Sequence, residues 1–174
     1  GTGEGHPTIY NNTDGKVTIN NGTVKSIENN TYSILNKGEL NIFGGIIEGN
    51  GSSAIRAELD STNAIRGGEI TSDNKTAIYN ESTKELQINN ATVVSNGEGS
   101  VIVNKGNGNI IIDNSNISSD FGCPINNILN GNITIRSGNI TTKGNKKTAI
   151  RNESGNILIL GGKISAKANS IYNN

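Results

Sequence analysis

The chain is predicted to be an all-β solenoid of stacked parallel strands, a single domain of about seven coils with three short strands in each. Three observations predict it. First, Ile19, Ile42, Ile65, Ile88, Ile112, Ile135 and Ile159 follow one another at intervals of 23, 23, 23, 24, 23 and 24 residues. Second, two further β-branched columns keep that period. Val24, Ile47, Ile70, Val93, Ile117, Ile140 and Ile164 come five residues after the first column, and Ile9, Ile34, Ile55, Ile78, Ile102, Ile125 and Ile150 come eight to ten before it. Third, a composition of 32% hydrophobic and 3% aromatic residues is too lean for an ordinary core. It suits a thin one in which each coil buries its faces against its two neighbours. A disordered chain of similar polarity has no reason to return a β-branched residue at a fixed period.

Each element of a coil has its own justification. In Leu86-Gln87-Ile88 the outer pair points inward and Gln87 outward, the alternation of a strand buried on one face. The same triplet recurs as Val17-Thr18-Ile19, Leu40-Asn41-Ile42, Ile133-Thr134-Ile135 and Ile157-Leu158-Ile159, with Asn63-Ala64-Ile65 as the exception. A bend follows, marked by a small residue: Gly22, Gly45, Gly68, Ala91, Ser115, Gly138 and Gly162. A short strand carrying Val93 or its equivalent comes next, then a turn of variable length rich in Asn, Gly, Ser and Lys.

The third strand is an Ile-x-Asn step. Asn11, Asn36, Asn80, Asn104, Asn127, Asn152 and Asn173 occupy its last position, and Ala57 alone breaks the column. If Ile78 points in and Tyr79 out, Asn80 points in, where an unpaired amide would cost a few kcal/mol. Stacking Asn on Asn about 4.8 Å apart removes that cost, because each amide donates to the carbonyl of the next. The competing reading places these residues at left-handed turn positions. Such positions would tolerate Gly or Asp, and the column contains neither.

Fifteen Lys and Arg balance fifteen Asp and Glu, so no charge field points to nucleic acid or an anionic membrane as partner. No apolar run is long enough to span a bilayer and none reads as a signal peptide. The single cysteine, Cys123, excludes an intramolecular disulfide framework and reads as a small buried hydrophobe. Residues 1–7 read as an N-terminal tail and residues 8–174 as repeats. Because neither end shows a capping helix, the stretch is expected to be an excised segment of a larger protein.

Three strands per coil, 23 to 24 residues per turn and an inward Asn column resemble the right-handed parallel β-helix, the architecture of pectate lyases. The absence of six-residue periods and of a Leu-x-x-Leu-x-Leu signature sets aside left-handed β-helices and leucine-rich repeats. Strings such as Thr76-Ala77-Ile78-Tyr79-Asn80-Glu81-Ser82 also look like the repeats of large surface proteins of Gram-positive bacteria. That resemblance implies a stalk or adhesin-like module, extracellular and held at the cell wall or cell surface.

The β-helix resemblance also implies an alternative, a polysaccharide lyase or glycoside hydrolase. Asp14, Asp60, Asp73, Asp113 and Asp120 fall at different offsets within their coils, so stacking alone gathers no acidic cluster. Glu58 and Glu81, three residues after their respective Ile, are expected on adjacent coils about 5 Å apart, near the retaining-glycosidase separation. They form the candidate catalytic pair of that alternative. Asp113 and Arg136 share an offset and are expected to stack as an ion pair. His6 is the one histidine and lies outside the repeats, so no metal site, cofactor or Ser-His nucleophile is implied. A flat rank of Thr, as in ice-binding solenoids, is absent from the outward columns.

Binding by surface columns remains. Between the third-strand Ile and its Asn lie Tyr10, Leu35, Arg56, Tyr79, Val103, Asn126, Arg151 and Tyr172, a column holding three of the four tyrosines. Tyr10, Arg56, Tyr79, Arg151 and Tyr172 are the candidate ligand-binding residues, suited to a polysaccharide, a host-surface glycan or an extended peptide through stacking and directed hydrogen bonds. Phe43 and Ile46 form a second, smaller apolar patch. The expected function is therefore a non-catalytic structural or adhesin-like module that binds carbohydrate or a host ligand.

Overall fold

The strands stack into three parallel sheets that wind as one solenoid of about seven coils, seen in a computed structural model that describes residues 5–174. The first four positions of the expected 1–7 tail lie outside the described residues. One sheet of eight strands collects the Ile-x-Asn steps, from Ile9–Asn11 to Ile171–Asn173. A second, of seven strands, collects the triplets from Lys16–Ile19 to Ile157–Ile159. The third, also of seven, runs from Thr23–Lys25 to Lys163–Ser165. No described residue is helical.

Register follows the β-branched columns. Ile65, Ile88 and Ile112 are successive partners in the second sheet, as are Ile70, Val93 and Ile117 in the third and Ile55, Ile78 and Ile102 in the first. Slipping one residue would turn each Ile outward, so the buried face pins the pairing. All nine of these side chains are buried to within 1% of their surface, and the interior is a stack of Ile and Val rather than a sphere.

The Asn column forms the expected ladder, with an interruption that explains both exceptions in the third coil. Asn80 donates to Asn104 at 2.7 Å, Asn104 to Asn127 at 2.7 Å, Asn127 to Asn152 at 2.6 Å and Asn152 to Asn173 at 2.6 Å. On the other side, Asn11 donates to Asn36 at 2.7 Å. Where Ala57 supplies no amide, Asn36 turns instead to Asn63 Oδ1 at 2.9 Å, the residue that stands in place of Leu40 and Leu86 in the triplet. Asn63 passes its own N–H to Ser61 Oγ at 2.9 Å rather than onward. The ladder is thus two runs, and the buried Oδ1 of Asn80 at the junction has no hydrogen-bond partner.

The bends divide into two kinds. Gly45 has φ +89°, and a Cβ there would sit 2.5 Å from the carbonyl oxygen of Gly22 in the preceding coil, so both conformation and close approach require glycine. In the two coils with Ala91 and Ser115 the left-handed residue is instead the asparagine one position earlier, Asn90 at φ 52° and Asn114 at φ 43°. Asparagine tolerates that region. Ala91 and Ser115 are then free to turn their side chains inward, where both are buried. The expectation that the small residue itself takes the bend holds for the glycines only.

Two stability measurements follow. Ile88→Ala should cost about 2 to 5 kcal/mol in urea unfolding, because its neighbours above and below cannot collapse into the space. Asn63→Leu should destabilise by removing the shortest acceptor of the buried Asn36 amide and leaving it only the 3.2 Å contacts to the Gly38 and Thr62 carbonyls. Ala57→Asn should destabilise by crowding Asn63. The double substitution should recover stability by joining the two ladder runs, so the thermodynamic cycle should show a favourable coupling of about 1 to 3 kcal/mol.

Candidate functional site

The outward column of the first sheet forms as the strand alternation requires. Tyr10 pairs with Leu35, Leu35 with Arg56, Arg56 with Tyr79, Tyr79 with Val103, and the series continues through Asn126 and Arg151 to Tyr172. Because neighbouring strands are about 4.8 Å apart, a long side chain on one coil reaches the next. Arg56 does so. Its guanidinium lies 5.1 Å from the ring centroid of Tyr79 and 5.6 Å from that of Tyr32, within cation–π range of both.

Arg56 also joins two sets of residues that the sequence kept apart. Its Nε donates to Glu58 Oε1 at 2.7 Å, just past the end of its own strand, and its Nη2 donates to Glu81 Oε2 on the next coil. The candidate acid pair and the Arg56–Tyr79 step of the binding column are therefore one cluster. Burial by itself would lower the basicity of Arg56, but its hydrogen bond to Glu58 and the nearby Tyr32, Glu81 and Glu58 raise it above the ordinary arginine value. With a guanidinium clasped between them, Glu58 and Glu81 serve as anionic partners of Arg56. A glycosidase pair needs one carboxyl free to give up a proton and the other facing the sugar.

The cluster borders a shallow cleft of about 340 Å³ whose rim also carries Ser52, Ser53, Lys75 and Thr76. Tyr32 was missing from the sequence reading because it lies two residues before its Ile rather than one after. A signal was nonetheless present. Tyr32, Ser53, Thr76, Ser100, Cys123 and Thr148 share that offset, a column of hydroxyls and one thiol running beside the binding column. A further signal is the recurrence of Lys75-Thr76-Ala77-Ile78-Tyr79-Asn80-Glu81 as Lys147-Thr148-Ala149-Ile150-Arg151-Asn152-Glu153, which differs at one position in seven.

That second copy builds a lesser version of the same arrangement around Arg151, four coils after Arg56. Arg151 Nε is paired with Glu153, and its guanidinium lies 5.9 Å from the Tyr172 ring. No tyrosine flanks its other side, and Arg151 is 57% exposed against 27% for Arg56. A cleft of about 280 Å³ adjoins it, edged by Ser100, Cys123, Asn126, Lys147 and Thr148. Cys123 is half-buried rather than fully buried as expected. Burial pushes its thiol up from the ordinary value, which keeps it protonated at neutral pH.

Tyr10 stands apart from both clusters, half-exposed, with Lys37 Nζ 5.4 Å from its ring centroid. Phe43 and Ile46 are exposed as expected, and the Arg66 guanidinium lies 5.6 Å from the Phe43 ring. The expected ion pair of Asp113 with Arg136 is not formed: Asp113 Oδ1 accepts from Ser137 Oγ at 2.7 Å, a nearer and shorter partner that leaves the arginine in solvent. Among the described residues, no three His, Cys, Asp or Glu side chains gather closely enough to hold a metal ion.

In comparisons with known proteins, the chain has no match among protein-family models, curated sequences or solved structures.

The two arginines should differ on substitution. Arg56→Ala leaves the Glu58 and Glu81 carboxylates on adjacent coils without their shared cation and should cost about 1 to 2 kcal/mol in urea unfolding. Arg151→Ala removes an exposed contact and should cost less than about 0.5 kcal/mol.

Proposed function

We propose that this chain is a non-catalytic binding module of a secreted or cell-surface bacterial protein, and that its ligand is a carbohydrate lying against the first sheet at the Tyr32–Arg56–Tyr79 cluster. The observation that carries this reading is the locked state of Arg56. Two tyrosine rings and two carboxylates hold one guanidinium in a fixed plane beside an open cleft. A pre-organised surface of that kind loses little side-chain entropy on binding.

The chemistry matches a sugar better than other ligands. Tyrosine edges and faces give stacking area, while Ser53, Thr76 and the ionic cluster offer donors and acceptors to ring hydroxyls. The cleft is shallow and the charge balanced, which suits an extended chain lying on a surface rather than a small molecule enclosed in a pocket. A stalk-like role is compatible with the same reading, since the solenoid sets outward columns at regular height.

A glycan array probed with the parent chain and Tyr79→Ala tests this. Retained signal from the parent on a defined set of glycans, lost at least about tenfold with Tyr79→Ala, is expected if an aromatic contact of about 1 to 2 kcal/mol anchors the sugar. Appearance of new reducing ends or unsaturated products on incubation with the bound glycan, abolished by Glu81→Gln, would instead establish the lyase or hydrolase alternative.

A further inference from the structure

The two clefts on the first sheet differ in charge, although the repeated segments 75–81 and 147–153 contribute to both. Around Arg56, the cations Arg56 and Lys75 are matched by Glu58 and Glu81. Around Arg151, the cations Arg151, Lys146 and Lys147 face Glu98 and Glu153, which leaves one positive charge in excess. Lys146 and Lys147 are exposed and, among the described residues, take part in no ion pair.

The guanidinium of Arg151 is itself only half engaged. Its Nε is paired with Glu153 as the Nε of Arg56 is with Glu58, but among the described residues no second carboxylate plays the part of Glu81. The residue at that offset on the following coil is Asn174, a neutral amide. The terminal nitrogens of Arg151 are therefore without an anionic partner, although a strand lies on each side of it, through Asn126 and through Tyr172. A planar fork with both terminal nitrogens free matches two oxygens of a carboxylate or a sulfate ester.

The interior of this cleft favours negative charge and offers polar groups to a sugar. Burial raises the Cys123 thiol above its ordinary range, and the charges of Arg151 and Lys147 work against that rise. Ser100 and Thr148 set hydroxyls on the rim. Asn126, which lines the cleft and stands beside Arg151 in register, has a buried Oδ1 with no hydrogen-bond partner. A sugar hydroxyl is the kind of donor that this oxygen lacks.

We propose that the cleft at Arg151 binds the acid group, a carboxylate or a sulfate ester, of an acidic sugar. The inference rests on the carbohydrate reading for the nature of the ligand and adds where on it the charge lies. Arg56 and Arg151 are four strands apart in the first sheet, about 19 Å at about 4.8 Å per coil. A glycan lying along the sheet sets uncharged sugars against the balanced cluster of Tyr32, Arg56 and Tyr79 and its acid group in the second cleft. A chain charged at every sugar fits less well, because Glu58 and Glu81 stand at the first site.

Titration of the isotope-labelled chain in nuclear magnetic resonance tests this, read at the Nε–H signals of Arg56, Arg66, Arg136 and Arg151 and at the backbone amides of Ser100 and Thr148. At constant ionic strength, glucuronate and a glucose sulfate ester should shift the Arg151, Ser100 and Thr148 signals saturably, and glucose should not. The tighter of the two acids identifies the group. Affinity read at Thr148 should fall about tenfold or more in Arg151→Gln and stay at the parent value in Arg136→Gln, which removes the same charge from outside the cleft. No response to either acid, an equal response to glucose, or equal weakening by both substitutions would overturn the acid site and leave the carbohydrate reading to the glycan array. Acetate binding as tightly as glucuronate would overturn the acidic sugar. A blank array with a saturable glucuronate response at Arg151 would instead count against the extended glycan alone and support this site.

Discussion

Parallel strands stacked in register, with Ile or Val directly above Ile or Val, are the constraint on which the rest of this molecule depends. Each coil is too short to bury its own apolar face, so Ile88 is inside only because Ile65 and Ile112 lie on either side of it. That dependence is reciprocal along the whole stack, which is how a chain with few aromatic residues keeps a continuous apolar core. It also sets the height at which every outward side chain stands. The contact of Arg56 with both Tyr79 and Glu81 is a consequence of one strand spacing, not of a folded pocket.

The asparagine ladder extends the same principle to polar groups. A buried amide is tolerable because its equivalent in the next coil supplies the missing acceptor, and where Ala57 interrupts the series a different residue of that coil, Asn63, takes over. The repair is incomplete, since the Asn80 oxygen at the junction stays unpaired. Ala57 and Asn63 lie in the same coil, so the acceptor lost at one position of that coil is supplied to the preceding coil from another.

The period of the β-branched residues made strand order, sheet number and register legible in the sequence, because stacking leaves no freedom once the columns are identified. Column membership likewise placed Arg56, Tyr79, Glu58 and Glu81 on neighbouring coils. Side-chain direction was not legible. Arg56 and the two glutamates occupy different offsets, and nothing in column spacing says that a guanidinium will lean across to both carboxylates. Tyr32 was missed for a related reason: it sits on the turn side of its Ile, where chain direction and not strand alternation decides what it touches. The same limit applies to Asp113, which found the hydroxyl of Ser137 before it could reach Arg136. At the bends, Asn90 and Asn114 show that a left-handed position can move by one residue while the strand on either side keeps its register.

Distance between equivalent positions on adjacent coils is the quantity that most directly tests the stacked architecture. Nitroxide labels at Gln87 and Ile111, outward residues paired across two neighbouring strands of the second sheet, should lie close enough in a Cys123→Ser background for strong dipolar broadening in continuous-wave electron paramagnetic resonance. Labels at Gln87 and Thr134, one coil further apart, should broaden markedly less. Absence of broadening for the adjacent pair, or equal broadening for both pairs, would contradict in-register stacking and with it the placement of every surface column.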